Sequence, residues 1–142
     1  MSQLTVESDG IVFGHTANEK RTYKSLNYHR QAKQKRGKTI WATAIKPETE
    51  YAIFEESEVS KWLSSSGDYW WVSKGAKTIV GLGGERLAFF PFCSNHPGPW
   101  HGYPVSPSSD PNYEVPKALV DKWEDDHRVN DVIAGRIRKG KI

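Results

Sequence analysis

The chain has 142 residues, 37% apolar and 26% charged, with six Trp, six Tyr, five Phe and a formal charge of +3. Such a composition excludes a disordered tail, and the single cysteine, Cys93, excludes an internal disulfide scaffold. The longest apolar run, Leu87–Phe90, falls far short of a bilayer span, so the expectation is a cytoplasmic protein in a reducing compartment.

Residues 4–14 (LTVESDGIVFG) read as a β-hairpin, two β-prone segments around Ser8-Asp9-Gly10 with the glycine supplying a positive φ. Residues 18–36 read as a half-exposed basic helix with a thin apolar face of Tyr23, Leu26 and Ala32. TIWATAIK and YAIFE read as strands broken by Pro47, and Ser57 as the cap of a short helix carrying Val59, Trp62 and Leu63. DYWWVSK, KTIVGLGG and ERLAFFPF follow as strand-like runs, close enough for an antiparallel meander with the last of them central. Seven of eight prolines lie between Pro91 and Pro116, which predicts a stiff Pro-rich loop at about 92–114. Two C-terminal helices complete the chain. The first carries Val115, Leu119, Val120 and Trp123 on one stripe, and the second is capped by Asn130 with Ile133 and Ile137 inward. The whole reads as one α+β domain over residues 1–142, mainly antiparallel sheet with a basic N-terminal helix, a short middle helix and two C-terminal helices.

Charge is unevenly placed. Residues 15–46 hold nine Lys or Arg against Glu19 alone, whereas residues 47–68 hold six carboxylates against Lys61. A basic segment near exposed aromatic rings is the pattern that holds single-stranded nucleic acid, through phosphate neutralisation and base stacking. The first functional expectation is therefore non-catalytic binding of a polyanion, RNA or single-stranded DNA. Lys20, Arg21, Lys24, Arg30, Lys33, Lys35 and Arg36 would neutralise phosphates, Trp70 or Trp71 would stack a base, and Arg138 and Lys141 would extend the track. Opposite charge blocks within one chain can equally pair with each other.

A second expectation is metal-independent phosphodiester cleavage. Glu85, Arg86 and His101 or His96 supply a base, a cation and an acid of the right types. The order Glu, Arg, His resembles that of small barnase-like ribonucleases, as residue types only. Glu85 and His101 stand at opposite ends of a predicted strand, about 20 Å apart at 3.3 Å per residue, so the loop must fold back to join them. A third expectation is a protein-interaction module or toxin–antitoxin-type component that docks through Trp100 and Tyr103.

Other motifs lead nowhere specific. Cys93, His96, His101 and Asp110 lack the second cysteine pair of a structural zinc site, so no metal and no cofactor is expected. GLGGER has no Gly-Lys-Ser/Thr and serves as turn chemistry, and Pro104-Val105-Ser106-Pro107 is a chance match to a PxxP ligand. Tyr28-His29-Arg30 lies within the basic stretch, where it could touch a phosphate.

Overall fold

In this computed structural model, residues 3–30, 39–92 and 98–142 are described. Strands β1 (Gln3–Glu7), β2 (Gly10–Gly14) and β3 (Thr22–Leu26) form one antiparallel sheet in the order β1-β2-β3. A 3-10 turn, Asn27–Arg30, leaves it. Helix α1 (Pro47–Val59) leads to a second antiparallel sheet, β4 (Tyr69–Val72), β5 (Leu87–Phe90) and β6 (Tyr103–Val105), with β5 central. A 3-10 turn, Pro111–Tyr113, and helices α2 (Lys117–Asp125) and α3 (Asp131–Arg138) close the chain. This is an α+β domain, as the composition and periodicity lead one to expect.

Several elements differ from the sequence reading. The predicted basic helix contains a strand: in β3, Tyr23 and Ser25 are buried while Thr22, Lys24 and Leu26 are partly exposed, a period of two rather than 3.6. Tyr23 pairs with Phe13 across the ladder and is fully buried, so tertiary packing overrides the helix-forming composition around it. Residues 31–38 of that predicted helix lie outside the described residues.

YAIFE is helical, not a strand, and lies in α1, which ends at Val59; Ser57 therefore does not cap a helix but sits inside the last turns of α1, donating to Ile53 O at 3.0 Å, and Trp62 and Leu63 lie beyond the helix. Pro47 occupies the first turn, where its missing N–H costs nothing. The inward positions of α1 are Glu50, Tyr51, Ile53, Phe54, Ser57 and Glu58. Three of those six are polar, and that hides the helical stripe from a hydrophobicity pattern. The predicted strands TIWATAIK and KTIVGLGG are irregular and touch through one bridge, Trp41↔Gly81. Gly10 has no positive φ. It is needed because a Cβ would overlap the Ser25 carbonyl oxygen of β3.

The Pro-rich stretch is partly sheet, since β6 falls inside it. Pro104 is accommodated because β6 is an edge strand with no neighbour to receive a donor. The two sheets meet at a single parallel bridge, Tyr23↔Trp100, where Lys24 N–H donates to Trp100 O at 2.7 Å and Trp100 N–H to Thr22 O at 2.8 Å. Around it the rings of Tyr23, Phe54, Tyr69, Phe90 and Trp100 lie in contact, with centroids 5.2–5.9 Å apart.

The C-terminal helices are as read from the sequence. Asn130 accepts from Ile133 N–H at 2.8 Å, and Leu119, Val120, Trp123 and Ile137 are buried. Trp123 is fully buried and meets Trp62 edge-on at 6.0 Å. Trp123→Ala is expected to lower stability by about 3–5 kcal/mol, read as a fall in urea midpoint with little change in slope.

Candidate functional site

Among the described residues, four of the expected cations are paired with carboxylates of the chain's own. Arg21 donates to Tyr69 OH at 2.6 Å, lies 3.7 Å from the Glu58 carboxylate and covers the Trp100 ring at 5.0 Å. Lys24 is clamped between Glu7 at 2.8 Å and Asp9 at 2.5 Å. Arg30 pairs with Glu50 and also donates to the Ile45 carbonyl. Arg138 bridges Asp121 and Glu124, each at 2.7 Å. Lys20 and Lys141 are exposed, and Lys33, Lys35 and Arg36 lie outside the described residues.

Neither indole of the Trp70-Trp71 pair offers a ring to solvent; they are 4% and 7% exposed. As neighbours on β4 they leave opposite faces, and both faces are covered. Trp70 packs on Phe89 at 4.6 Å, while Trp71 donates to Glu56 at 2.7 Å under the Arg128 guanidinium. Trp100 is 2% exposed at the joint between the sheets, so it is no aromatic lip.

A different set of side chains converges on a cleft of ≈ 620 Å³. Its floor is set by alternation along β6 and the two residues leading into it: His101, Tyr103 and Val105, each two apart, line the cleft, while Gly102 and Pro104 do not. Gly102 is required there, because a Cβ would press into Phe90 and the Phe89 carbonyl. One wall is Tyr28 and His29 of the 3-10 turn with Thr39, and the other is Ser106, Ser109, Asp110 and Tyr113. Gly83, Glu85 and Pro91 border the β5 side.

The rings in the cleft lie against one another. Tyr28 and His29 lie 4.1 Å apart, His29 stacks on Tyr103 at 5.3 Å, and Tyr103 meets Tyr113 edge-on at 5.9 Å with their hydroxyls 3.0 Å apart. His29 Nδ1 donates to the Thr39 carbonyl at 2.9 Å, because a carbonyl can only accept. Burial, with a smaller contribution from Tyr113, holds the Tyr103 hydroxyl well above the usual phenol range. Burial pulls His101 below the ordinary histidine value, and the charges of His29 and Lys24 lower it further. His101 is therefore mostly uncharged at neutral pH.

The Glu85, Arg86, His101 set is not assembled as a catalytic unit. Glu85 and His101 border the same cleft, but Leu87↔Val105 and Phe89↔Tyr103 put them at opposite ends of the β5–β6 ladder. That is a backbone separation of about 20 Å, which side chains of this length do not close onto one atom. Glu85 is buried and accepts from Gly83 N–H at 3.0 Å, locking the glycine turn. Arg86 donates to the Ala76 and Lys77 carbonyls, at 2.9 and 3.0 Å, and is not part of the cleft lining. His96, like Cys93, lies outside the described residues.

Among the described residues no group of three or more His, Cys, Asp or Glu is placed to hold a metal ion, and no helix is long and apolar enough to cross a membrane. Sequence reasoning passed over Thr39, Ser109 and Tyr113 entirely. The usable signal was the alternation His-x-Tyr-x-Val at 101–105, masked by the prolines around it. No family model, curated protein sequence or solved structure matches this chain.

The His101 imidazole is expected to titrate below 6.5 in an NMR pH series, and His29→Gln is expected to move its midpoint upward part of the way. Titration at the ordinary value in the parent protein would show that the ring is not desolvated as described.

Proposed function

We propose that this protein binds RNA or single-stranded DNA, with one nucleotide seated in the tyrosine–histidine cleft rather than on Trp70 or Trp71. The observation that carries this reading is the group of Tyr28, Tyr103 and Tyr113 around a cavity of ≈ 620 Å³, together with His29 and His101. Tyr28 is 43% exposed, and Tyr103 and Tyr113 are partly exposed, so ring surface lies at the cleft where a base can contact it. Stacking on such faces accepts any base, and imidazole N–H and tyrosine O–H groups supply hydrogen bonds to sugar or phosphate oxygens. The volume is that of an ordinary small-ligand site. The lone cysteine of the sequence supports a reducing, cytoplasmic setting.

One observation favours catalysis as a second reading: His101 lies in the same cleft, where burial lowers its affinity for a proton. An imidazole in that state can take the 2′-hydroxyl proton of an RNA nucleotide as the 2′-oxygen bonds to the adjacent phosphorus and the P–O5′ bond breaks, the leaving 5′-oxygen taking its proton from water, which gives metal-independent cleavage to a 2′,3′-cyclic phosphate. In this reading His101 is the base, while Glu85 and Arg86 serve the turn and the loop. Chelator-resistant cleavage of RNA, lost in His101→Ala with the fold intact, is its expected signature; intact RNA after incubation with the parent protein removes it.

For binding, fluorescence anisotropy with labelled single-stranded oligonucleotides is expected to show Tyr103→Ala weakening affinity roughly five- to a hundredfold. Lys117→Ala, an exposed change on α2, is expected to leave it unchanged. Equal affinity of the Tyr103 variant and the parent would place the ligand elsewhere.

A further inference from the structure

The cleft has two unlike ends. Among the described residues that line it there is no Lys or Arg, but there are two carboxylates, Glu85 and Asp110. The β5–β6 register puts them at the same end. Glu85 lies two residues before Leu87, which pairs with Val105, so it stands level with the chain just beyond Val105. That chain closes at once into a tight turn, in which the Asp110 N–H donates to the Ser106 carbonyl at 2.9 Å. Pro91 and His101 border the opposite end, with Tyr103 between.

Glu85 holds one carboxylate oxygen and presents the other. The residue is only 6% exposed. Its Oε1 accepts from the Gly83 N–H at 3.0 Å, which fixes the group against the glycine turn. Its Oε2 accepts no hydrogen bond and is not shut off from solvent, and it opens to the cleft that the residue borders. Asp110, half-buried, is arranged in the same way: Oδ1 accepts from the Asn112 N–H at 3.0 Å and Oδ2 is unpaired. A carboxylate that has given up most of its water and keeps an unfilled oxygen is stabilised by a ligand that donates to it.

An acceptor-only wall beside a stacked ring selects for donors. It repels phosphate, so the base rather than the backbone enters this end. Guanine presents two adjacent donors, N1–H and the N2 amino group. Adenine and cytosine each present one amino group beside a ring nitrogen that accepts, and uracil presents a single N–H between two carbonyls. Oε1 retains a second lone pair after its bond to Gly83, so both oxygens of Glu85 can take part.

We propose that Glu85 makes the cleft selective for guanine, its carboxylate accepting from the N1–H and N2 amino edge of a base stacked on Tyr103. The Asp110 charge acts in the same sense, turning the phosphates away toward the His101 end. This selectivity rests on the nucleic-acid reading above.

The test compares, by competition anisotropy at one salt concentration, short single-stranded RNAs that differ only in a central guanine, adenine, cytosine or uracil. In the parent protein the guanine RNA is expected to bind roughly five- to a hundredfold more tightly than the uracil RNA, the range of one bidentate base contact. Inosine in place of guanine lacks the N2 amino group and is expected to lose most of that margin. Glu85→Gln keeps the Gly83 bond through its amide oxygen but turns an amino donor toward the cleft. It is expected to bring the guanine and uracil RNAs within about twofold of each other. The inosine comparison uses the parent alone, so it carries the test if Glu85→Gln fails to fold. Equal affinity for all four RNAs, a preference for adenine or cytosine, or full affinity for inosine overturns the selectivity while the nucleic-acid reading stands. Failure of every RNA and DNA strand to bind overturns both.

Discussion

The fold depends on the wedge of aromatic rings between its two sheets. Each sheet has three short strands, and small sheets of that kind are marginal unless an apolar face is covered. Here they share one cover. Tyr23 from the first sheet and Phe90 from the second meet Phe54 of α1, and Trp100 closes the group where the backbones bridge. The geometry of that joint also sets the geometry of the cleft. Trp100 is hydrogen-bonded to both sides of Tyr23, so the chain entering β6 is held in register beside β3, and the turn after β3 comes to face the turned-out side of β6.

Charge follows the same economy. The basic block of the sequence and the acidic block that succeeds it meet in space, with Arg21 against Glu58 and Arg30 against Glu50. These pairs stitch β3 and its following turn onto α1. A carboxylate taken from water is costly, and each of the two here has a hydroxyl donor besides the arginine, from Thr16 for Glu58 and from Tyr23 and Ser25 for Glu50. Cations engaged in this way contribute to the joint between elements and are withdrawn from any external track.

Elements dominated by local pattern were legible in the sequence. The first hairpin, the central β5 and the two C-terminal helices each carry their own signal in apolar spacing or, for the second of the helices, in the capping side chain of Asn130. Elements whose inward positions are polar were not. α1 buries Glu50, Ser57 and Glu58, so its stripe dissolves in a hydrophobicity reading, and β3 shows alternation in only five residues surrounded by lysines and arginines. β6 was obscured by Pro104, tolerated only because its strand lies at an edge, a tertiary fact. The candidate site was half visible: His101 and Tyr103 stood out by type, but their union with His29 and Tyr113 depends on a sheet register that no local window contains. The geometry also separated Glu85 from Arg86, adjacent residues whose side chains serve different loops.

The walls of the cleft come from parts far apart along the chain, Tyr28, His29 and Thr39, then Gly83, Glu85 and Pro91, then residues 101–113, brought together only where both sheets have docked. A pocket assembled that way has no existence in any fragment, so its occupancy is tied to cooperative folding as a whole. Any molecule that settles there draws the equilibrium away from open, protease-sensitive forms, and resistance to digestion becomes a report on occupancy even when the occupant's chemistry is unknown.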